Sequence, residues 1–273
     1  MKRSVRILWQ LFIAGFILFN LVVLAFYFNW TGNMPPEHVY ENPSNNLSSE
    51  VYATDGALLG RYYVQDRSNS KYHEISPNVL NALIATEDER FHEHSGIDGK
   101  AIARAVFFLG KQGGGSTITQ QLAKNLFGRQ RPSIFTMPII KLKEWVMAVK
   151  LERNLTKNEI ITLYLNTVPF GDNVYGIKNA ALTFYNKTPD AVTVDEAAVL
   201  IGMLKANTYY NPRLHPERSQ ARRNVVLEQM VKSDMLERAE AERLKELPIA
   251  LDYRKLDYHE GIAPYFRQIV EQQ

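Results

Sequence analysis

The sequence predicts a mainly α-helical protein, with one transmembrane helix at its N-terminus and a short β-hairpin before the helical body. Three observations lead there. Residues 7–30 are dominated by Leu, Ile, Val, Phe and Ala and hold no ionised side chain. After Asn78, apolar residues recur at steps of three and four, the period of one helix face. Thr156-x-x-Glu159 and Thr193-x-x-Glu196 are capping boxes that open two further helices.

The apolar run is long enough, at about 1.5 Å per residue, to cross a hydrocarbon layer of about 30 Å. Its only polar breaks are Gln10, Asn20 and Asn29. Lys2, Arg3 and Arg6 precede it and no acid does, which predicts an N-terminus in the cytoplasm and the remainder outside. Tyr27 and Trp30 stand where interfacial aromatics belong. A cleaved signal peptide would need a shorter apolar core and a small-x-small site, which Phe26-Tyr27-Phe28-Asn29-Trp30 does not supply. Residues 1–30 are therefore read as a single-pass, uncleaved anchor in the cytoplasmic membrane.

Thr31 to Ser49 is rich in Pro, Asn and Ser and reads as a linker. Val51-Tyr52-Ala53 and the β-rich run from Leu58 to Val64 flank Asp55-Gly56, the pattern of a hairpin, so residues 31–66 form linker and hairpin. Residues 67–247 make the helical domain. Helices are expected at 78–90, after the glycines at 113–115, from Lys141, and at 158–165, 195–205, 217–232 and 237–246. Residues 248–273 read as a linker toward another domain, because His259 to Phe266 is apolar and aromatic for a chain end.

Composition narrows the chemistry. The chain has 273 residues, 45% of them hydrophobic, enough for one moderate domain with accessory pieces. A net charge of +3 gives no bulk argument for nucleic acid. The absence of cysteine removes disulfides, a thiolate nucleophile and a zinc–thiolate site.

The most informative residue is Glu87. The stripe Leu80, Leu83, Ile84, Glu87, Phe91 puts a carboxylate in line with core residues. Partial withdrawal from water suits a group that moves protons near neutral pH. The plainer reading is a surface acid in the charge cluster with Asp88, Glu89 and Arg90. A second carboxylate, Glu144, interrupts the row Ile140, Glu144, Ala148, Leu151, with Lys141 three residues before it. A surface ion pair is again the plain alternative. Two acids out of place on separate helices are the usual equipment for making or breaking glycosidic bonds.

Between them lies Gly113-Gly114-Gly115-Ser116-Thr117-Ile118-Thr119-Gln120-Gln121-Leu122-Ala123-Lys124-Asn125. Thr117-x-x-Gln120 is a capping box, and Ile118, Leu122 and Leu126 form a buried face. Thr117, Gln121 and Lys124 line another face. Free amides, hydroxyls and a lysine at a helix start suit an anionic or sugar-phosphate ligand. The Gly-Lys-Ser/Thr order of a nucleotide P-loop is missing. An ordinary glycine loop before an amphipathic helix fits the pattern as well.

His92 and His94 lack further ligands at metal spacing, and His94 is placed instead to bond across the turn closing the Glu87 helix. Ser68-x-x-Lys71 has the Ser-x-x-Lys pattern but no Lys-Thr-Gly companion, and is taken as chance.

Taken in order, Glu87-Asp88-x-x-Phe91-x-x-His94-x-Gly96, Gly115-Ser116-Thr117-Ile118-Thr119-Gln120-Gln121, Lys141-x-x-Glu144, Tyr164-Leu165-Asn166 with Gly171, and Ala197-Ala198-x-Leu200-x-Gly202 resemble the motifs of the peptidoglycan glycosyltransferases, glycosyltransferase family 51. The likeness runs from about Tyr52 to Met230. Anchor, hairpin and tail look like the N-terminal half of a class A penicillin-binding protein, with a monofunctional transglycosylase as the alternative.

The resemblance implies a lysozyme-like helical domain on the outer face of the cytoplasmic membrane. It implies lipid II and the growing glycan strand as substrates, and polymerisation into β-1,4 glycan with inversion and release of undecaprenyl diphosphate. Glu87 would be the general base. Glu144 would orient the site near the diphosphate, with a divalent cation there left open and no other cofactor implied. Lys124, Lys141 and Arg131 would offset the diphosphate charge. Asp88, Phe91, His94, Ser116, Thr117, Gln120, Gln121 and Asn125 would bind substrate.

Two departures from the family pattern stand out. Ile140 replaces an arginine before the second motif lysine, and extra residues lie between Phe127 and Lys141, so Arg129 competes with Arg131 for its role. The apolar run from Ile134 to Ile140 is expected either to dip into the bilayer surface or to form a buried loop. A glycan hydrolase, or an inactive scaffold for other cell-wall synthesis proteins, are the alternative functions.

Overall fold

The computed structural model describes residues 3–30, 34–36, 38–41, 49–52, 58–62, 66–67, 69–108, 114–128 and 136–254. The protein is mainly α, as expected. In chain order the elements are α1 (Arg3–Tyr27), α2 (His38–Glu41), β1 (Ser49–Tyr52), β2 (Leu58–Tyr62), β3 (Asp66–Arg67), α3 (Pro77–Glu87), α4 (Gly99–Phe107), α5 (Ile118–Leu126), α6 (Met137–Asn154), α7 (Lys157–Thr167), β4 (Val174–Tyr175), α8 (Ile177–Tyr185), α9 (Val194–Met203), α10 (Pro216–Lys232) and α11 (Arg238–Glu246).

α1 has a mean hydropathy of 2.4 and is long and apolar enough to cross a membrane. It ends where Asn29 takes a left-handed conformation (φ 55°) and the Trp30 N–H reaches back to the Ala25 carbonyl at 2.9 Å. This closure satisfies carbonyls that the last turn would otherwise leave open.

The segment read as a linker is partly docked. The Asn29 amide clasps the Met34 backbone through two bonds of 3.0 Å. Met34 and Tyr40 are buried, and the Tyr40 ring lies 5.2 Å from that of Phe127. Apolar anchors spaced widely in a Pro- and Asn-rich stretch leave no periodic signal, which is why the sequence reads as a connection. β1 and β2 pair antiparallel, with Val51 opposite Gly60. The Asp55-Gly56 turn lies outside the described residues. β3 pairs in parallel with β4, Asp66 opposite Val174, and ties the chain to the helical body.

The core holds two helical groups. α3 packs on α9 and α10, and α11 on α10; α5 packs on α6 and α7. Thr156 and Glu159 form the expected capping box, and Glu196 accepts the Thr193 N–H at 3.0 Å. The stretch after residue 247 also differs from a free linker. The Asp252 and Arg254 N–H groups bond the Phe184 and Thr183 carbonyls, and Tyr253 packs on Phe184. Residues 255–273, including the aromatic tail, lie outside the described residues.

Candidate active site

α3 stops at Glu87, three residues short of the helix that the periodicity predicts. Asp88 leaves helical geometry at φ −161°, ψ 72°. The cause is non-local: the Asp88 carboxylate is drawn to the start of α5, where it accepts the Ile118 N–H at 3.0 Å. A buried carboxylate there satisfies a free helix amide and meets the positive end of the helix dipole. His94 Nε2 bonds both Asp88 oxygens, at 2.9 and 3.1 Å. Because His94 Nδ1 accepts the Gly96 N–H at 3.2 Å, Nε2 is the nitrogen that donates to Asp88. Burial pushes the Asp88 carboxyl above the usual carboxylate range, and the bonds from His94 and Ile118 offset only part of that rise.

Glu87 closes α3 half-buried, and its Oε2 accepts a hydrogen bond from Gln121 Nε2 at 2.8 Å. Gln121 Oε1 in turn accepts from the Tyr164 hydroxyl at 3.0 Å. A hydroxyl donating to one end of the amide fixes which end faces the carboxylate, so Tyr164 on α7 orients Gln121 and Gln121 orients Glu87.

Glu144 lies on the first half of α6 with its side chain 12% exposed. Lys141 Nζ bridges from Glu144 Oε2 (3.0 Å) to Ser116 Oγ (2.7 Å). Both glutamates are thus tied to the opening of α5, one through Gln121 and the other through Lys141 and Ser116. Lys124 is exposed on the same helix and Asn125 half-buried. Arg129 and Arg131 lie outside the described residues. So does the first part of the apolar run; its remainder forms the start of α6, where Met137 and Ile139 are about half exposed, which rules out a buried loop at those two positions.

Other expected ligand contacts turn inward. Thr117 Oγ1 donates to the Gly96 carbonyl at 2.8 Å while accepting the Gln120 N–H at 3.2 Å as N-cap of α5. Gln120 does not complete the expected capping box, because its Nε2 goes to the same Gly96 carbonyl at 3.1 Å. With Ile118 held by Asp88 and Gln120 by Thr117, these α5 amides are committed within the protein rather than presented to an anion. Phe91 is fully buried, with the Lys157 ammonium 4.4 Å from its ring centre.

Residues with no expected role support this frame. Glu152 accepts from Thr119 (2.6 Å) and Lys157 (2.8 Å), and Lys157 also donates to the His94 carbonyl. Glu152 stands eight residues after Glu144, on the same face of α6, and that spacing was the available signal. Tyr164 sits in a quoted motif, but nothing local shows that its hydroxyl points to α5.

Among the described residues no group of three or more His, Asp or Glu side chains comes together as a metal site. A hard divalent cation can be held by a single carboxylate when substrate phosphates supply other ligands. Glu144 would be the carboxylate for such a mode, with its Oε2 already taken by Lys141 Nζ at 3.0 Å.

The transglycosylase family model matches residues 55–231. The chain belongs to the transglycosylase family. The match contains both glutamates and every α5 and α6 residue of the site. Among similar proteins, penicillin-binding protein 1A of Aquifex aeolicus is 36% identical over 266 residues, covering 94% of this chain and 36% of that protein. Penicillin-binding protein 1A of Escherichia coli is 36% identical over 231 residues, covering 83% and 27%. Penicillin-binding protein 1F of Bacillus subtilis is 36% identical over 230 residues, covering 83% and 31%. This transglycosylase chain therefore spans about a third of the length of those relatives.

Proposed function

We propose that this transglycosylase polymerises lipid II into β-1,4 glycan strands with inversion, releasing undecaprenyl diphosphate. The observation that carries the reading is the pair of carboxylates, from the end of α3 and the first half of α6, tied to one helix start beside exposed and half-exposed lysines. Glu87 takes the proton from the 4-hydroxyl of the acceptor sugar. That oxygen attacks the anomeric carbon of the donor, a new C–O bond forms, and the bond to the diphosphate breaks with its electron pair on the leaving group. Lys141, positioned by Glu144 and Ser116, and Lys124 meet the charge that grows there. A divalent cation at Glu144, when bound, would add to that neutralisation.

Ser116, Gln121, Lys124 and Asn125 face substrate in this reading. Asp88, Phe91, His94, Thr117 and Gln120 hold the frame, since their observed contacts are internal. α1 anchors residues 1–30 in the cytoplasmic membrane with the N-terminus inside. The catalytic body, about residues 67–247, works at the outer surface, where exposed Met137 and Ile139 enter the lipid interface. Partners are the lipid-linked donor, the growing strand and other cell-wall synthesis proteins.

The deciding experiment supplies purified protein with lipid II alone. Polymer together with released undecaprenyl diphosphate is the expected result; cleavage of preformed glycan without polymerisation overturns the reading. Lys124→Ala should lower kcat/KM for the donor by about tenfold to a hundredfold, and unchanged kinetics would return Lys124 to the ordinary surface. Tyr164→Phe should lower kcat by about threefold to tenfold, the worth of one neutral hydrogen bond acting through Gln121, with KM little changed. An unaltered kcat would show that Gln121 needs no such orientation.

A further inference from the structure

We propose that the cleft between the end of α1 and the last turns of α6 binds the phosphodiester headgroup of an anionic lipid in the outer leaflet. The cleft has a volume of about 470 Å³, and its lining includes Tyr27, Phe28, Pro35, Pro36, Lys150 and Arg153. Its place in the fold sets the ligand. Tyr27 ends the apolar span and Phe28 and Trp30 follow it, so the cleft opens at the level where aromatic side chains meet lipid headgroups. This assignment rests on α1 being the anchor.

The electrostatics select an anion. Lys143, Lys150 and Arg153 follow one side of α6 at steps of seven and three. Each packs on an aromatic ring at the end of α1: Lys143 at 5.5 Å from Phe26, Lys150 at 5.3 Å and Arg153 at 5.8 Å from Tyr27. Lys150 is buried and lies also 5.2 Å from the Tyr40 ring, so exposed Arg153 is the cation that faces the cleft. Arg153 is exposed, and among the described residues no carboxylate pairs with it. No acidic side chain is among the described lining residues. A guanidinium offers the forked donor geometry that phosphate oxygens accept.

The wall opposite α6 is built rather than incidental. The clasp of Asn29 on the Met34 backbone holds Pro35 and Pro36 against the end of α1. The proline rings and Phe28 offer apolar surface for the glycerol and upper acyl carbons, while Arg153 meets the phosphate. The site lies at the far end of α6 from Lys141 and Glu144, so its ligand is separate from the reacting diphosphate.

Native mass spectrometry of the full chain in detergent, with phosphatidylglycerol and phosphatidylcholine added in equal amounts, tests this. The expected result is a retained phosphatidylglycerol, favoured over phosphatidylcholine by about tenfold, the scale of one charge-assisted contact. Arg153→Gln should remove that preference without changing the thermal melt, and Arg153→Lys should restore part of it. Inorganic phosphate at about 50 mM, well above the range in which a bare phosphate would compete with a lipid also held by apolar contacts, should leave the lipid bound. Equal retention of the two lipids, a preference untouched by Arg153→Gln, or displacement by inorganic phosphate each overturns the proposal. Flotation with phosphatidylcholine vesicles reads the anchor by itself: a chain that floats yet shows no headgroup preference refutes the cleft alone, and one that does not float refutes both.

Discussion

Under the proposed reaction, Glu87→Gln should cut polymer formation from lipid II to a trace while the protein stays folded. The substitution keeps the size of the side chain, and the amide oxygen can still accept from Gln121 Nε2, now 2.8 Å away. What is lost, in the proposed reaction, is the ability to take a proton from the acceptor hydroxyl. General-base catalysis is worth about 10²- to 10⁴-fold, so kcat should fall by that factor with little change in donor binding. Among the described residues half-buried Glu87 forms no ion pair, and the thermal transition should stay within about 2 °C of wild type, the effect of about 0.5 kcal/mol or less. Turnover retained within tenfold would remove Glu87 from the base role and pass it to another group.

The second large effect comes from a residue without a functional group. Gly96→Ala should destabilise the domain and depress activity together. Gly96 sits at φ +86°, where a side chain is strained by about 1–2 kcal/mol. A Cβ there would lie 3.0 Å from both the carbonyl carbon and oxygen of Ala148 and 3.2 Å from Glu152 Cγ. Backbone cannot rotate out of the way as a side chain can, so α6 or the turn must shift. That turn gives its carbonyl to Thr117 and Gln120 and its N–H to His94, and α6 carries Lys141 and Glu144. A loss of about 2–3 kcal/mol, or about 5–10 °C in Tm, is expected. Gly114→Ala is the control, since a Cβ there meets nothing within 4 Å and its φ is not positive. A Gly96→Ala protein melting within 1 °C of wild type would show that α6 yields freely and that the Gly96 contact does not fix its position.

The two acids were legible because each interrupts an apolar row. Leu80, Leu83 and Ile84 are buried below Glu87, and Ala148 and Leu151 are buried beyond Glu144. Local rules also located most helices, since capping and periodicity are written within a few residues. The role of Asp88 was not legible. It looks like one more surface acid beside Glu89, and only the arrival of α5, thirty residues later, turns it into a buried cap. The same non-local cause shortened α3 and closed the α5 amides to ligand. Met34 and Tyr40 were missed for a related reason, as two isolated anchors set no period. Tyr164 was visible as a motif letter, but its hydroxyl acts across a packing interface that sequence spacing does not encode.

One consequence follows from α6 touching both the end of α1 and the start of α5. Lys150, over Tyr27, and Glu144 are six residues apart on one rigid helix, about 9 Å of rise. In the proposed arrangement, with α1 spanning the bilayer, that helix would work as a fixed-length strut. In the proposed reaction, the height above the lipid at which glycan is joined would then be a property of protein architecture, matched to a donor whose tail stays in the membrane, and a tether of any other reach would hold the acids above or below the bond they act on.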